Sequence, residues 1–389
     1  MRKLVFTVFI LSISTFSLLG QPRVWNIEKP DQARLEKSAL IEQILKEANN
    51  LLSKAIPTIM DKDKPAPSGD KHDYYSCAPY WWPDPANPTG PYIRKDGVTN
   101  REVTTPDKKN LGTLTNGIIR LSMAYYLTSE EKYSTKAVEN LRVWFISQET
   151  RMNPNLNYGQ TIVGHFGGKG RGAGMIETYK FVEMLDGIEL LKKSASFTSK
   201  DQQQLIHWFS EYLNWMMTSS IGKQEYNAKN NHGTAFEVLA TRIALFVGKE
   251  DIARHYISNF AARRIFTQIE PDGKQPLELV RTKALGYSTF NLTHLLDMCA
   301  IAKTMNIDLF PIKSTDGRSI SKALEYLSQF VSEPQSNFPY KQIVEWDVVQ
   351  NNLCLQLYRA DKFSTNAAFK KYYVNKQDDS NKNYNYIVF

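Results

Sequence analysis

Asn230-Asn231-His232-Gly233 and, about fifty residues on, Arg281-Thr282-Lys283-Ala284-Leu285-Gly286-Tyr287 supply an amide, an imidazole, a guanidinium and a phenol. These are the groups needed to take a proton from the carbon beside a carboxylate. The hydrogen at C5 of a uronic acid is a poor acid, and the neighbouring negative charge makes its removal harder. An amide and a guanidinium on that carboxylate stabilise the enolate-like intermediate. An imidazole and a phenol can take the C5 proton and protonate the departing O4. Asn231, His232, Arg281 and Tyr287 are therefore the catalytic candidates, with Tyr226 and Tyr158 as further candidates for the phenol. Elimination of this kind runs either on a bound metal or on such side chains. The chain has no Cys/His metal spacing and no loop of alternating acidic ligands, so neither metal nor cofactor is expected.

Each candidate has a plainer reading. A histidine at a helix start is usually a structural hydrogen-bonding group; the neighbouring Asn231 and the Arg–Tyr pair argue for more. Tyr80, Trp81 and Trp82 could be core aromatics, but a Pro-rich loop is a poor place to bury three, and sugar rings stack on flat aromatic faces. Arg171 could bind a neighbouring uronate or form a surface ion pair. His165 heads the Gly-rich stretch 164–174 and is a candidate substrate contact, as is His72. His207, His255 and His294 fall within helices and read as structural. Gly167-Gly168-Lys169-Gly170 lacks both a preceding strand and a closing Lys-Ser/Thr pair, so it is weak as a phosphate loop.

Helical spacing dominates the elements that must position these groups. Residues 33–56 form one amphipathic stretch. Paired helices are predicted over 111–127 and 130–147, 175–193 and 200–219, 234–247 and 251–260, and 292–304 and 319–330, with a last helix over 344–358. Ser129 and Thr198-Ser199 look like helix starts. Ile265–Ile269, close to Asp272-Gly273, is the best candidate for a small β-hairpin. Nine of the 17 prolines fall between Pro57 and Pro106, which reads as a long ordered loop of functional type. Paired helices without a fixed-period repeat favour an all-α fold, an α/α toroid (an incomplete barrel of helix hairpins), over a solenoid. Sites in such toroids lie in loops at one end.

Residues 1–20 have a basic start, an apolar run and a small residue before Gln21, the pattern of a cleaved signal peptide, so a periplasmic or secreted protein without a stable membrane anchor is expected. Residues 21–389 read as a single domain with a peripheral tail from about 360. Three cysteines, Cys77, Cys299 and Cys354, allow at most one bridge, and stability must come mainly from an apolar core. The formal net charge of +8 suits a polyanionic ligand. No Lys/Arg run suggests a nucleic-acid partner, and nothing indicates an oligomeric state.

Asn231-His232, then Pro276-Leu277-Glu278-Leu279-Val280-Arg281 and Tyr287-Ser288-Thr289-Phe290-Asn291-Leu292, resemble the alginate lyase family with the α/α-toroid fold. So do His72-Asp73-Tyr74-Tyr75-Ser76, Pro79-Tyr80-Trp81-Trp82-Pro83-Asp84-Pro85, Asn157-Tyr158-Gly159-Gln160 and Gly170-Arg171-Gly172-Ala173-Gly174-Met175-Ile176-Glu177. The resemblance implies that Asn231 and Arg281 neutralise the carboxylate. It makes His232 and Tyr287 the proton-transfer groups, with Tyr287 as acid and a candidate base. Substrate contacts are implied at Tyr80, Trp81, Trp82, Asn157, Tyr158, Gln160, His165 and Arg171. The expected function is metal-independent β-elimination in a 1,4-linked polyuronate, alginate containing mannuronate before glucuronan. A glycoside hydrolase would need a carboxylate pair, and Glu177, Asp186, Glu237 and Glu278 form no persuasive one. A non-catalytic glycan-binding protein would need only the aromatics and Arg171.

Overall fold

The computed structural model describes residues 23–25, 39–103, 106–364 and 367–374. The expected signal peptide lies outside the described residues. Among the described residues no helix is long and apolar enough to cross a membrane.

Nearly all regular structure is helical, as expected. The longer helices are α1 (Ala39–Leu52), α2 (Pro106–Thr128), α3 (Glu131–Leu141), α4 (Phe181–Leu191), α5 (Ser199–Thr218), α6 (Ser220–Tyr226), α7 (Asn231–Phe246) and α8 (Glu250–Phe260). They are followed by the single turn α9 (Pro276–Leu279), α10 (Ala284–Lys303), α11 (Ile320–Ser328), α12 (Trp346–Asp361) and the short α13 (Lys370–Tyr373). Helices α2, α4, α7, α10 and α12 pack one against the next as an inner row; α3, α8 and α11 back that row as hairpin partners, and α5 lies against α6 and α7. Sequence dictates the division. Helices α4 and α7 are buried around almost their whole circumference, which suits interior helices, whereas α8 and α11 bury one stripe each. The arrangement is consistent with the expected incomplete α/α toroid.

Several expected boundaries move, each for a local reason. Helix α10 begins eight residues before Leu292, because Tyr287, Ser288, Thr289 and Asn291 interrupt the apolar rhythm in its first turns. The stretch 175–193 is broken: Gly172–Thr178 forms tight 3-10 turns before α4 starts at Phe181. The hairpin expected at Ile265–Ile269 is instead helical, continuing α8 through Ala261–Gln268. There the buried side-chain oxygen Oε1 of Gln268 accepts hydrogen bonds from Thr234 Oγ1 and Asn291 Nδ2, each at 2.9 Å, so tertiary contacts override local β-propensity. Ser129 takes a positive φ and caps nothing, while Thr198 and Asp201 form a reciprocal capping box at α5. Beyond residue 360 the chain is less peripheral than expected as far as it is described: Phe369 and Tyr373 are buried in the core. All three cysteines are free thiols.

The Pro-rich loop contains three short strands, β1 (Tyr75–Cys77), β2 (Trp81–Trp82) and β3 (Ile93–Arg94). Strand β1 pairs in parallel with β4 (Tyr158–Thr161), Tyr75 opposite Tyr158; β2 and β3 pair antiparallel, Trp81 opposite Arg94. The Gly-rich stretch serves this junction. A Cβ at Gly170 or Gly174 would come within 2.5 Å of the Gly159 carbonyl oxygen, so only glycine allows that backbone to lie on β4.

Candidate active site

A cleft of about 660 Å³ opens where α7 and α10 begin, and the β2–β3 hairpin forms one wall. Asn231, His232, Arg281 and Tyr287 all line it, as do Tyr80, Trp81, Gln160 and Arg171. Four groups remote in sequence thus meet around one space.

Gly233 explains the local Asn-His-Gly order. A Cβ there would approach Ala228 O to 2.1 Å and Arg264 Nη1 to 2.3 Å. Arg264, fully buried and ion-paired with Glu237, donates to the carbonyls of Ala228 and Tyr226 at 2.7 Å. It thereby fixes the turn between α6 and α7, and with it Glu225 at the end of α6. Glu225 Oε1 lies 2.6 Å from His232 Nδ1. A carboxylate can only accept, so Nδ1 carries the hydrogen, and in the neutral imidazole Nε2 is the nitrogen with the lone pair. The carboxylate orients the ring toward the cleft, and no local spacing in the sequence announces it.

Asn231 is almost wholly buried at the first position of α7. Its backbone N–H and Nδ2 donate to the two oxygens of Glu278 at 2.7 and 2.6 Å. Burial pushes the Glu278 carboxyl up, against the pull of those two donors. The other amide atom, Oδ1, is buried without a partner. One N–H of Asn231 is therefore committed to the protein, leaving the second N–H and Oδ1.

Arg281 sits in the turn from α9 into α10. Asp96, in the turn following β3, accepts from its Nε at 3.1 and 3.2 Å and from Nη2 at 2.7 Å, while Thr282 adds its backbone N–H and hydroxyl. Burial raises the Asp96 carboxyl, but the hydrogen bonds from Arg281 and Thr282 outweigh it and hold the group well below the usual carboxylate range. The guanidinium is pressed onto the Tyr287 ring, 3.9 Å from its centroid. Nη1 has no partner among the described residues.

Tyr287, in the first turn of α10, places its hydroxyl 3.1 Å from that of Tyr80. Burial first, and the Tyr80 hydroxyl second, push its phenol well above the ordinary value, so it is protonated near neutral pH. The competing phenols are elsewhere. Tyr226 lies beneath Arg263, 4.1 Å from ring to guanidinium, outside the cleft. Tyr158, with Asn157, lines a separate pocket of about 570 Å³ that shares Gln224 with the cleft.

The remaining candidates divide. Gln160 holds Arg171, whose Nη2 donates to Gln160 Oε1 at 2.7 Å; burial lowers the arginine's pKa, and Nε is left without a partner. Trp82 does not line the cleft: its Nε1 donates to Val98 O at 3.0 Å and Lys95 lies over its ring. His165 does not line it either. Its Nε2 meets Tyr92 O at 2.9 Å and its ring edges against Trp81 at 4.9 Å, so it supports the hairpin. His72 contacts Arg151 O. Of the carboxylates weighed for hydrolysis, Asp186, Glu237 and Glu278 are each bound to buried partners. Glu177 lines the cleft but accepts from Tyr74, Ser76 and Lys108.

Residues 58–337 match the sequence model of the alginate lyase family. No curated protein sequence matches the chain. Among solved structures, a crystal structure of an alginate lyase from Bacteroides ovatus is 45% identical, covers 92% of this chain and 96% of its own, and superposes with a TM-score of 0.88. A histidine-to-alanine variant of alginate lyase A1-III complexed with a tetrasaccharide is 14% identical over 90% of this chain and 91% of its own, TM-score 0.60. Alginate lyase A1-III from Sphingomonas species A1 is 13% identical over 90% and 92%, TM-score 0.54. The last two carry the fold alone. Family match and close structural relative agree, and the chain belongs to the alginate lyase family.

Proposed function

We propose that this polysaccharide lyase cleaves alginate by β-elimination on its own side chains, with His232 as base and Tyr287 as acid. The uronate whose C5 reacts would lie in the cleft with its carboxylate at Asn231 Nδ2 and Arg281 Nη1. His232 Nε2 takes the C5 proton, and the imidazolium that results is stabilised by Glu225. The electron pair forms the C4–C5 double bond as the C4–O4 bond breaks, and Tyr287 delivers its proton to O4. The products are a 4,5-unsaturated uronate and a new reducing end. The single observation that carries this reading is the shared cleft: an imidazole with a free Nε2 and a protonated phenol face one space beside a guanidinium.

The unsaturated uronate absorbs in the ultraviolet, which a hydrolase product would not. Tyr287→Phe and His232→Ala are expected to lower kcat on mannuronan by about 10²–10⁴-fold while the circular dichroism spectrum is retained. Full activity in either variant would sink the role given to that residue. Mannuronate and guluronate differ in configuration at C5, so comparing both variants on purified mannuronan and guluronan also tells from which side the base approaches.

A further inference from the structure

A second chamber, of about 410 Å³, lies against the first and shares Tyr80, Tyr287 and Phe290 with it. The two tyrosines, joined hydroxyl to hydroxyl, therefore form a partition with a cavity on each side. Three cations and two carboxylates line the second chamber. Lys180 is paired with Glu183 Oε1 at 2.7 Å and Arg359 with Asp297 at 2.5 Å. Lys283 has no carboxylate partner among the described residues; its ammonium rests over the Tyr80 ring, 5.3 Å from the centroid. One positive charge is thus left over, next to the partition.

Polar atoms are also left over. Thr289 is 3% exposed, lines the chamber, and its Oγ1 has no hydrogen-bond partner; Glu183 Oε2 has none either. Buried polar atoms without partners are rare because each costs free energy, and their presence around a cavity points to a polar ligand that completes them. A hydroxyl donor for Glu183, a group that either donates to or accepts from Thr289, and an anion for Lys283 together describe a sugar acid.

We infer that this chamber binds the uronate residue on the leaving side of the scissile linkage, with its carboxylate at Lys283. The inference rests on the lyase reading of the cleft. In that chemistry the acid must touch O4, the atom joining the reacting uronate to the sugar that departs. Tyr287 is the acid, so the departing sugar lies across Tyr287 from the reacting one, where the second chamber is. The substrate then spans the partition, replacing the Tyr80–Tyr287 hydrogen bond by one to O4.

Titration calorimetry of tetramannuronate into a Tyr287→Phe background reads binding apart from turnover. Adding Lys283→Met is expected to weaken binding about tenfold, the loss of one charge-assisted contact, and Thr289→Val about threefold. Both added variants keeping affinity within twofold of the background, with the fold intact by circular dichroism, would overturn the inference. Ultraviolet absorbance from the unmodified enzyme tests the lyase reading separately. Weakened binding without such absorbance would sustain the chamber and sink the lyase reading; absorbance with unchanged binding would do the reverse.

Discussion

Glu225 gives His232 its direction. Without an acceptor at Nδ1, a neutral imidazole exchanges its hydrogen between two nitrogens and turns about its own axis. With the carboxylate at 2.6 Å, one tautomer of the neutral ring is fixed, and an imidazolium formed by the proposed proton transfer would be paired. Glu225→Gln keeps the shape but removes the charge. We expect kcat to fall about 10–100-fold. The loss should fall on kcat with KM kept, because Glu225→Gln turns the imidazole and leaves the groups that would hold the substrate carboxylate in place. A purely structural glutamate would lower the urea midpoint or raise KM as well, so unfolding together with the kcat-against-KM split separates the two. That Asn231, His232, Arg281 and Tyr287 belong around one space was legible in the sequence, because their chemistry is distinctive and two short motifs hold them. Glu225 was not, because it reaches His232 across the turn 227–230, where no helical spacing rule applies. Asp96 was not legible either: its bond to Arg281 joins positions 185 apart, and nothing local announces it. Trp82 and His165 lie off the cleft for a related reason: residue type shows that a ring can stack, but the hairpin register decides which ring faces the cleft.

At the scale of elements, the β2–β3 hairpin is the part of the site least supported by its own structure. It has two paired residues per strand, too few to hold alone. Asp96 ties it to the start of α10, so the wall carrying Tyr80 and Trp81 keeps its distance from Tyr287. Asp96→Ala should make amide hydrogen exchange over residues 92–98 faster and cost about 1 kcal/mol, the low end for a charge-assisted contact that solvent partly screens. The sign with pH follows from the depressed carboxyl. Its contribution is fully present above the ordinary aspartate value of about 3.9 and is lost as pH falls below it, so the variant and the unmodified protein should converge in stability in strong acid. An unchanged exchange rate would show that the hairpin is held by other contacts. The helices that form the scaffold were legible because a buried stripe repeats at 3.6 residues. The starts of the site-bearing helices were less so. In α10 the first turns carry Tyr287 and the polar residues that serve the two cavities, and function there erases the apolar rhythm that marks a helix.

For the molecule as a whole, one carboxylate joins three distant parts of the chain. Asp186, fully buried on the inner helix α4, accepts from the backbone N–H groups of Arg23, Val24 and Trp25 at 2.7–3.0 Å. It also pairs with Arg242 of α7, whose Nε and Nη2 lie 2.9 and 2.8 Å from Oδ1. The segment 23–25 is thereby fastened to two neighbouring members of the inner row, over sequence separations of more than 160 residues. A buried pair of this kind adds little over a well-packed apolar pair, yet removing one partner leaves the other charge stranded. Asp186→Asn should therefore cost about 3–5 kcal/mol in urea-induced unfolding, far more than the exchange of one oxygen for an amide suggests. Asp186→Leu with Arg242→Met removes both charges, and should recover part of that loss but not all, because three backbone N–H groups still lack an acceptor. The two carboxylate variants should retain kcat at low temperature, since neither position lines the cleft. If Asp186→Asn unfolds at the same urea concentration as the unmodified protein, the tie between segment 23–25 and the inner helices contributes nothing to holding the scaffold together.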